Sequence, residues 1–423
     1  MRTLAGSLRI ERLEFDNGLV VLVNPRPDSE LIVITGSSLA GAVFDPKSKP
    51  GLSQFTSGMM MRGTKKRRHM EIVDETESLG AGIRFHADDD LAWSTSRCTP
   101  ATLDKTVELL FDCMMNPTFP EAEIEKVRGL MLTSIKERED STQAVAQRLA
   151  REMLFPEGNP YHSDPGGYEE TVNAITRDDV ARFWERQYGP ESTILAFSGR
   201  VTTDEVKRRI EHYCKDWDAR YPRPDVPTVE VPRPTKPACK VLPMMHKSQV
   251  DIVMMCQTVP RSHPDHYPLA SATVILGKLG LMGRLGKTIR DRQGLAYYAT
   301  CSYSPRITGG YWTAFAGVDP ANVDRAVESM KQEMQKISRE LVSKNEHRDS
   351  ATHQVGSLAL KLETAQAAAA FMHSIEIYGL GLDFVDRYEE IVNSVSREDI
   401  RRVCQAYLRP EEACTAVVGP YAA

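Results

Sequence analysis

Membrane-length apolar runs, paired cysteines and a large excess of either charge are all missing from this 423-residue chain. Without a stretch of about 18 apolar residues, no segment reads as a membrane span. Eight cysteines are scattered at 98, 113, 214, 239, 256, 301, 404 and 414 with no Cys-x-x-Cys pair, which argues against a zinc ribbon, a dithiol redox centre or a disulfide framework. Most lie in apolar surroundings, as small buried hydrophobes do, and that pattern favours a reducing compartment. Lys and Arg total 53 against 58 Asp and Glu, a net charge of −5, so no basic field points to nucleic acid. The run Arg62-Gly63-Thr64-Lys65-Lys66-Arg67-Arg68 is basic but isolated; it reads as the solvated start of a helix rather than an anion patch. From Met1 the chain passes into alternating residues 8–15 with no apolar core of a secretory signal. The expected location is cytoplasmic, or periplasmic if a leader had been removed.

What is present is a repeat. Val172-Asn173-Ala174-Ile175-Thr176-Arg177-Asp178-Asp179-Val180 recurs 220 residues on as Val392-Asn393-Ser394-Val395-Ser396-Arg397-Glu398-Asp399-Ile400. The same offset links Pro100-Ala101-Thr102-Leu103-Asp104 to Pro320-Ala321-Asn322-Val323-Asp324, and Gly199 to Gly419. Three matches at one offset indicate a duplicated domain. Prolines 222, 224, 227, 232, 234 and 237 remove donors and favour extended backbone, so residues 219–237 read as a semi-rigid linker. The expected domains are 1–218 and 238–423.

The first half reads as two strands joined at Asn17-Gly18, a strand over 31–39, helices over 51–61 and 68–79, and a strand pair over 82–98 turning at Asp88-Asp89-Asp90. An amphipathic helix follows over 103–115, then one long helix over 121–151. Thr176 and Ser396 stand as N-caps before acidic first turns. Strands mixed with helix clusters predict an α+β fold: two homologous domains, each a mostly antiparallel sheet with helices packed on one face.

Histidine offers little metal chemistry. His69 with Glu71 and Glu75 lies at a helix start, His347 and His353 are six apart and share no helix face well, and His263 and His266 flank a proline-containing turn. Two features of the second half stand out. Arg290 and Tyr297 are seven apart, with Gln293-Gly294 between them as a helix stop. Spacing alone leaves them as a surface partner of Asp291 and a tyrosine buried beside Tyr298. The segment Leu276-Gly277-Lys278-Leu279-Gly280-Leu281-Met282-Gly283-Arg284-Leu285-Gly286 is glycine-rich but lacks the Gly-Lys-Ser/Thr of a phosphate loop.

Asp16-Asn17-Gly18-Leu19, Lys49-Pro50-Gly51-Leu52 through Arg62-Gly63-Thr64, Arg290-Asp291-Arg292-Gln293-Gly294-Leu295-Ala296-Tyr297 and both copies of the repeat resemble the M16, or pitrilysin-type, zinc metallopeptidases, including two-domain members like the mitochondrial processing peptidase. The resemblance covers nearly the whole chain. It implies the LuxS/M16 metallopeptidase-like fold and an inverted His-x-x-Glu-His motif, whose histidines share one helix face around a zinc while the glutamate acts as base. The matching histidine positions here hold Gln54 and Gly58, the base position holds Ser57, and the third-ligand position holds Ser134. Neutral amides and hydroxyls are poor zinc ligands and glycine offers none, so no metal is expected on this chain.

The resemblance further implies that Arg290 and Tyr297 face a peptide and the charge developing on its carbonyl. Gly280 and Gly283 match a segment proposed to contact substrate, with close helix packing an equal alternative. The edge strand around 83–87 is expected to pair with a peptide by strand addition. The implied role is the non-zinc subunit of a heterodimeric peptidase, with zinc on a partner carrying an intact motif. Alternatives are a structural homologue like the respiratory complex III core subunits, a peptide-binding homologue, or self-association as a homodimer.

Overall fold

The computed structural model describes residues 8–218, 221–228 and 237–422. Of the expected linker, 219, 220 and 229–236 lie outside the described residues; 221–228 carry no helix or strand. The chain forms two compact units, each drawn from both copies of the repeat. Unit 1 comprises Met1–Ile135, Asp164–Pro227 and Ala359–Asp386; unit 2 comprises Lys136–Ser163, Thr228–Leu358 and Arg387–Ala423.

Unit 1 is built on a six-stranded sheet: β1 (Glu11–Glu14), β2 (Val20–Pro25), β3 (Ile32–Ser38), β4 (Gly82–Ala87), β5 (Ala92–Cys98) and β6 (Thr193–Gly199), ordered β1-β2-β6-β3-β5-β4. Only β2 and β6 run parallel. The first hairpin turns at Asn17-Gly18, where Gly18 takes φ +83° and Asn17 Oδ1 accepts the Leu19 amide at 3.2 Å. The side chain thereby mimics a backbone turn.

Helices α1 (Leu52–Met59), α2 (His69–Ser78), α3 (Leu103–Met115), most of α4 (Glu121–Glu139), α6 (Glu169–Ala174), α7 (Arg177–Gln187) and α8 (Thr203–Tyr213) also belong to unit 1. Val107, Leu110, Val206 and Ile210 of α3 and α8 share one core with Val21, Ile34 and Leu195 of the sheet. Thr176 accepts the Asp179 amide at 3.2 Å, closing the expected capping box.

Unit 2 repeats the plan with β7 (Ala238–Pro243), β8 (Val250–Thr258), β9 (Ala296–Pro305), β10 (Gly310–Val318) and β11 (Cys414–Gly419), ordered β7-β11-β8-β10-β9. Its helices are α9 (His266–Gly277), α10 (Gly283–Leu285, continuing as a π-helix over Gly286–Arg292), α11 (Val323–Arg339), most of α12 (Lys344–Lys361) and α15 (Arg397–Tyr407). Ser396 caps α15 as Thr176 caps α7.

Two points depart from the sequence reading. The helix expected over 121–151 is two helices: it breaks at Asp140-Ser141, and Ser141 caps α5 (Thr142–Leu154) by accepting the Ala144 amide at 3.3 Å. Each sheet is also covered on its second face by one helix from the other copy. α5 packs on β8 and β11 in unit 2, while α13 (Ala365–Ile377) packs on β3 and β6 in unit 1. This explains why every residue of β3 and β6 is buried. Met372 and Ile375 of α13 are fully buried, each worth roughly 1.5–3 kcal/mol of apolar transfer. A short helix, α14 (Phe384–Ser394), completes the set.

Candidate functional site

The sequence marks two places, one in each unit. In unit 1, α1 packs against β4 and β5. Its start is fixed by Asp45, whose carboxylate accepts the Gly51 amide at 2.8 Å and the Ser53 amide at 2.7 Å. Burial pushes this carboxyl up to about 7 against those two amides. Gly51 takes φ +96° and packs face to face with Gly167, leaving no room for a side chain. An ion pair between Lys49 and Asp179 ties the approach of α1 to α7.

Four apart on α1, Gln54 is half-buried and Gly58 exposed. A Cβ at Gly58 would stand 3.2 Å from Val127 Cγ1 of α4, so a larger residue there needs Val127 to give way. Ser57 is buried, and its hydroxyl meets the Tyr188 hydroxyl at 3.0 Å. Tyr188 is buried, and burial raises its phenol well above the ordinary range. Ser134 is exposed on α4, two turns beyond Val127. An amide, a glycine and two hydroxyls, one already engaged with Tyr188, do not fit a zinc ion. Among the described residues, no group of three His, Cys, Asp or Glu is arranged to hold any metal.

In unit 2, the chain from Gly283 to Tyr297 is irregular. The π-helix carries Arg290 in its last turn; Gly294, at φ +63°, ends it, and the Leu295 amide returns to the Ile289 carbonyl at 2.9 Å. Arg290 is a third exposed, with Asp291 at 3.7 Å. Strand β9 starts at Ala296 on the edge of the sheet. Its pairing with β10 slips there: Tyr298 faces Gly317 and Ala296 faces Val318, leaving Tyr297 without a partner across the ladder. This β-bulge turns Tyr297 outward, 81% exposed. A tyrosine buried beside Tyr298 is therefore not what the fold contains. π-turns and bulges are both frequent where side chains are aimed for function. Among the described residues, no hydrogen bond joins Arg290 of the π-helix to Tyr297 of β9.

Gly283 and Gly280 differ. Gly283, at φ +63°, lies so close to α9 that a Cβ would meet Gly277 N and Leu276 O at 2.4 Å. Gly277 packs as tightly on Cys301 of β9. Gly280, at φ +68°, faces open space in an exposed turn beside Leu281. The eight cysteines are all free; seven are buried and Cys239 is exposed. No helix of the described residues is long and apolar enough to cross a membrane.

The sequence reading missed the Asp45 cap, the Ser57–Tyr188 pair and a buried histidine. His373 of α13 meets Ser37 Oγ of β3 at 2.7 Å, with the Trp93 ring 4.7 Å away. Its only signal was a lone histidine among alanines and apolar residues, Ala367-Ala368-Ala369-Ala370-Phe371-Met372-His373.

The fold is one α+β plan built twice, and the marked positions of α1 in the first copy carry no zinc-type ligand. Residues 33–160 match the model described as Insulinase (Peptidase family M16), and residues 174–352 match that of the Peptidase M16 inactive domain. The chain belongs to peptidase family M16. It is 22% identical over 394 residues to the mitochondrial-processing peptidase subunit beta of Caenorhabditis elegans, covering 90% of this chain and 83% of the other. It is 20% identical over 416 residues to the uncharacterized zinc protease YmxG of Bacillus subtilis, covering 97% and 98%. A protease from Helicobacter pylori shares the fold at TM-score 0.90 and 17% identity, over 97% of this chain and 99% of that one. The peptidase M16 inactive domain from Pseudomonas fluorescens does so at 0.87 and 18%, over 98% and 99%.

Proposed function

We propose that this chain is the non-zinc subunit of a two-chain M16-type peptidase, and that Arg290 and Tyr297 bind the peptide and stabilise the charge built on its scissile carbonyl. The observation that carries the proposal is the contrast between the two marked places. The metal positions hold Gln54, Ser57, Gly58 and Ser134, while Tyr297 stands 81% exposed on a bulge beside the π-turn of Arg290. An exposed tyrosine held out by a bulge gains nothing for the core, so a role toward a ligand accounts for it better.

A guanidinium can hold a peptide carbonyl through its planar fork, and a phenol can donate to a developing oxyanion. Both groups act best where a partner surface closes over them and excludes water. The partner is a chain of the same fold with an intact His-x-x-Glu-His, which supplies the metal. The edge strand β4, with Arg84 and His86 exposed, offers a ladder for an extended peptide.

The test is reconstitution with such a partner. Arg290→Ala and Tyr297→Phe should each lower kcat/KM for a peptide the pair cleaves by about 10²-fold, the scale for one lost oxyanion donor. Unchanged kcat/KM in both variants sinks the catalytic role and leaves a structural or peptide-binding homologue.

A further inference from the structure

A carboxylate lies behind the bulge that turns Tyr297 outward. Asp251 of β8 is 2% exposed and accepts three donors. The Tyr298 hydroxyl donates to its Oδ1, Gln249 Nε2 reaches the same oxygen at 3.1 Å, and the Thr142 hydroxyl donates to Oδ2 at 2.5 Å. Thr142 is the first residue of α5, so the carboxylate also sits at the positive end of that helix.

Tyr298 is the first residue of β9 after the slipped pair, facing Gly317. A Cβ at 317 would stand 2.4 Å from Tyr298 Cε1 and 2.6 Å from Gln249 Nε2. The ring of Tyr298 therefore lies across the backbone of Gly317, and only glycine leaves it room. With its ring laid over Gly317 and its hydroxyl tied to Asp251, Tyr298 cannot rotate or slide. The extra residue of the bulge is then forced to be Tyr297, on the open side of the edge strand.

We propose that Asp251 and Tyr298 form a clamp that fixes the bulge and aims Tyr297, making them positioning residues for the ligand-facing site. The inference rests on the proposed role of Tyr297 only for its consequence in catalysis; the geometric claim stands on the clamp alone. A bulge held at one point by a buried carboxylate keeps its register, whereas an edge strand without such a pin slips between pairings.

The test uses the full chain with 3-fluorotyrosine incorporated and the Tyr297 signal assigned by its loss in Tyr297→Phe. In wild type, Tyr297 should give one sharp ¹⁹F resonance. Tyr298→Phe, which removes one oxygen, should split or broaden it, and Asp251→Ala should do the same. Met334→Ala serves as the stability control: Met334 is fully buried in the hydrophobic core of unit 2, away from Asp251 and Tyr298, and its truncation should lower Tm without changing the Tyr297 signal. An unchanged resonance in Tyr298→Phe overturns the clamp, as does equal broadening in Met334→Ala.

In the reconstituted pair, Tyr298→Phe should lower kcat about tenfold or more with little change in KM, since misplacement by an ångström costs up to roughly a hundredfold. It should add nothing in a Tyr297→Phe background. If Tyr297→Phe alone has no kinetic effect while the ¹⁹F result holds, the catalytic reading fails and the clamp survives. If Tyr297→Phe slows turnover and Tyr298→Phe does not, the clamp fails and the catalytic reading survives.

Discussion

Replacing His373 with glutamine should flatten the acid side of the stability curve. The imidazole is fully buried between α13 and β3, with Ser37 Oγ at 2.7 Å from Nε2 and, among the described residues, no partner on Nδ1. Burial pushes it from 6.5 down to about 3. Between those values the unfolded chain binds a proton that the folded chain refuses. The contribution of neutral His373 is therefore complete above pH 6.5 and is lost as pH falls toward 3. At pH 5 the loss is about 2 kcal/mol, from roughly 1.5 pH units at 1.36 kcal/mol each. Other groups slope too. His266 in unit 2 is pushed down to about 3 by burial, while burial lifts Asp45 to about 7, so its contribution is lost as pH rises through 7. Both are present in either protein, so the difference between wild type and His373→Gln isolates the one histidine. Urea unfolding followed by tryptophan fluorescence, with Trp93 beside His373 as a reporter of α13 docking, should show the variant less stable at pH 7. The gap should narrow by about 2 kcal/mol at pH 5. Curves that stay parallel between pH 7 and 5 would refute the claim that His373 is buried and neutral.

Four further substitutions probe the packing. Tyr188→Phe strands the buried Ser57 hydroxyl and should cost about 1–3 kcal/mol in chemical denaturation. Gly283→Ala forces a Cβ to within 2.4 Å of α9 backbone and should cost well over 2 kcal/mol; Gly280→Ala, facing open space, should cost only about 1–2 kcal/mol. A large effect of Gly280→Ala on peptide binding, with Tm nearly kept, would instead assign the turn to recognition. Ser141→Ala removes the cap of α5 and should lower stability by about 0.5–2 kcal/mol.

The repeat carried much of the fold on its face. Thr176 and Ser396 announced α7 and α15, Asn17-Gly18 announced the first hairpin, and Gly294 announced the end of the π-helix, because caps and turns are set by two to four neighbouring residues. The exchange of α5 and α13 was not legible. The apolar face of α5, with Val145, Ala146, Leu149, Ala150 and Leu154, says that the helix is buried, but not under which sheet. The break at Ser141 was hidden because residues on both sides favour helix, and one serine after an aspartate is a weak stop. The bulge at Tyr297 depends on Gly317 and Asp251 across the sheet, which no local pattern joins. At the site, sequence showed which donors were gone from α1; only the structure showed Tyr188 occupying the Ser57 hydroxyl.

We propose that this chain holds half of a peptidase site. Its most direct test is metal content and peptide cleavage of the purified chain, of an M16 partner with intact His-x-x-Glu-His, and of their mixture. The expected result is no stoichiometric zinc and no cleavage for this chain alone, and a rate for the mixture well above that of the partner alone. Stoichiometric zinc on the single chain, with cleavage that a chelator abolishes, would contradict it.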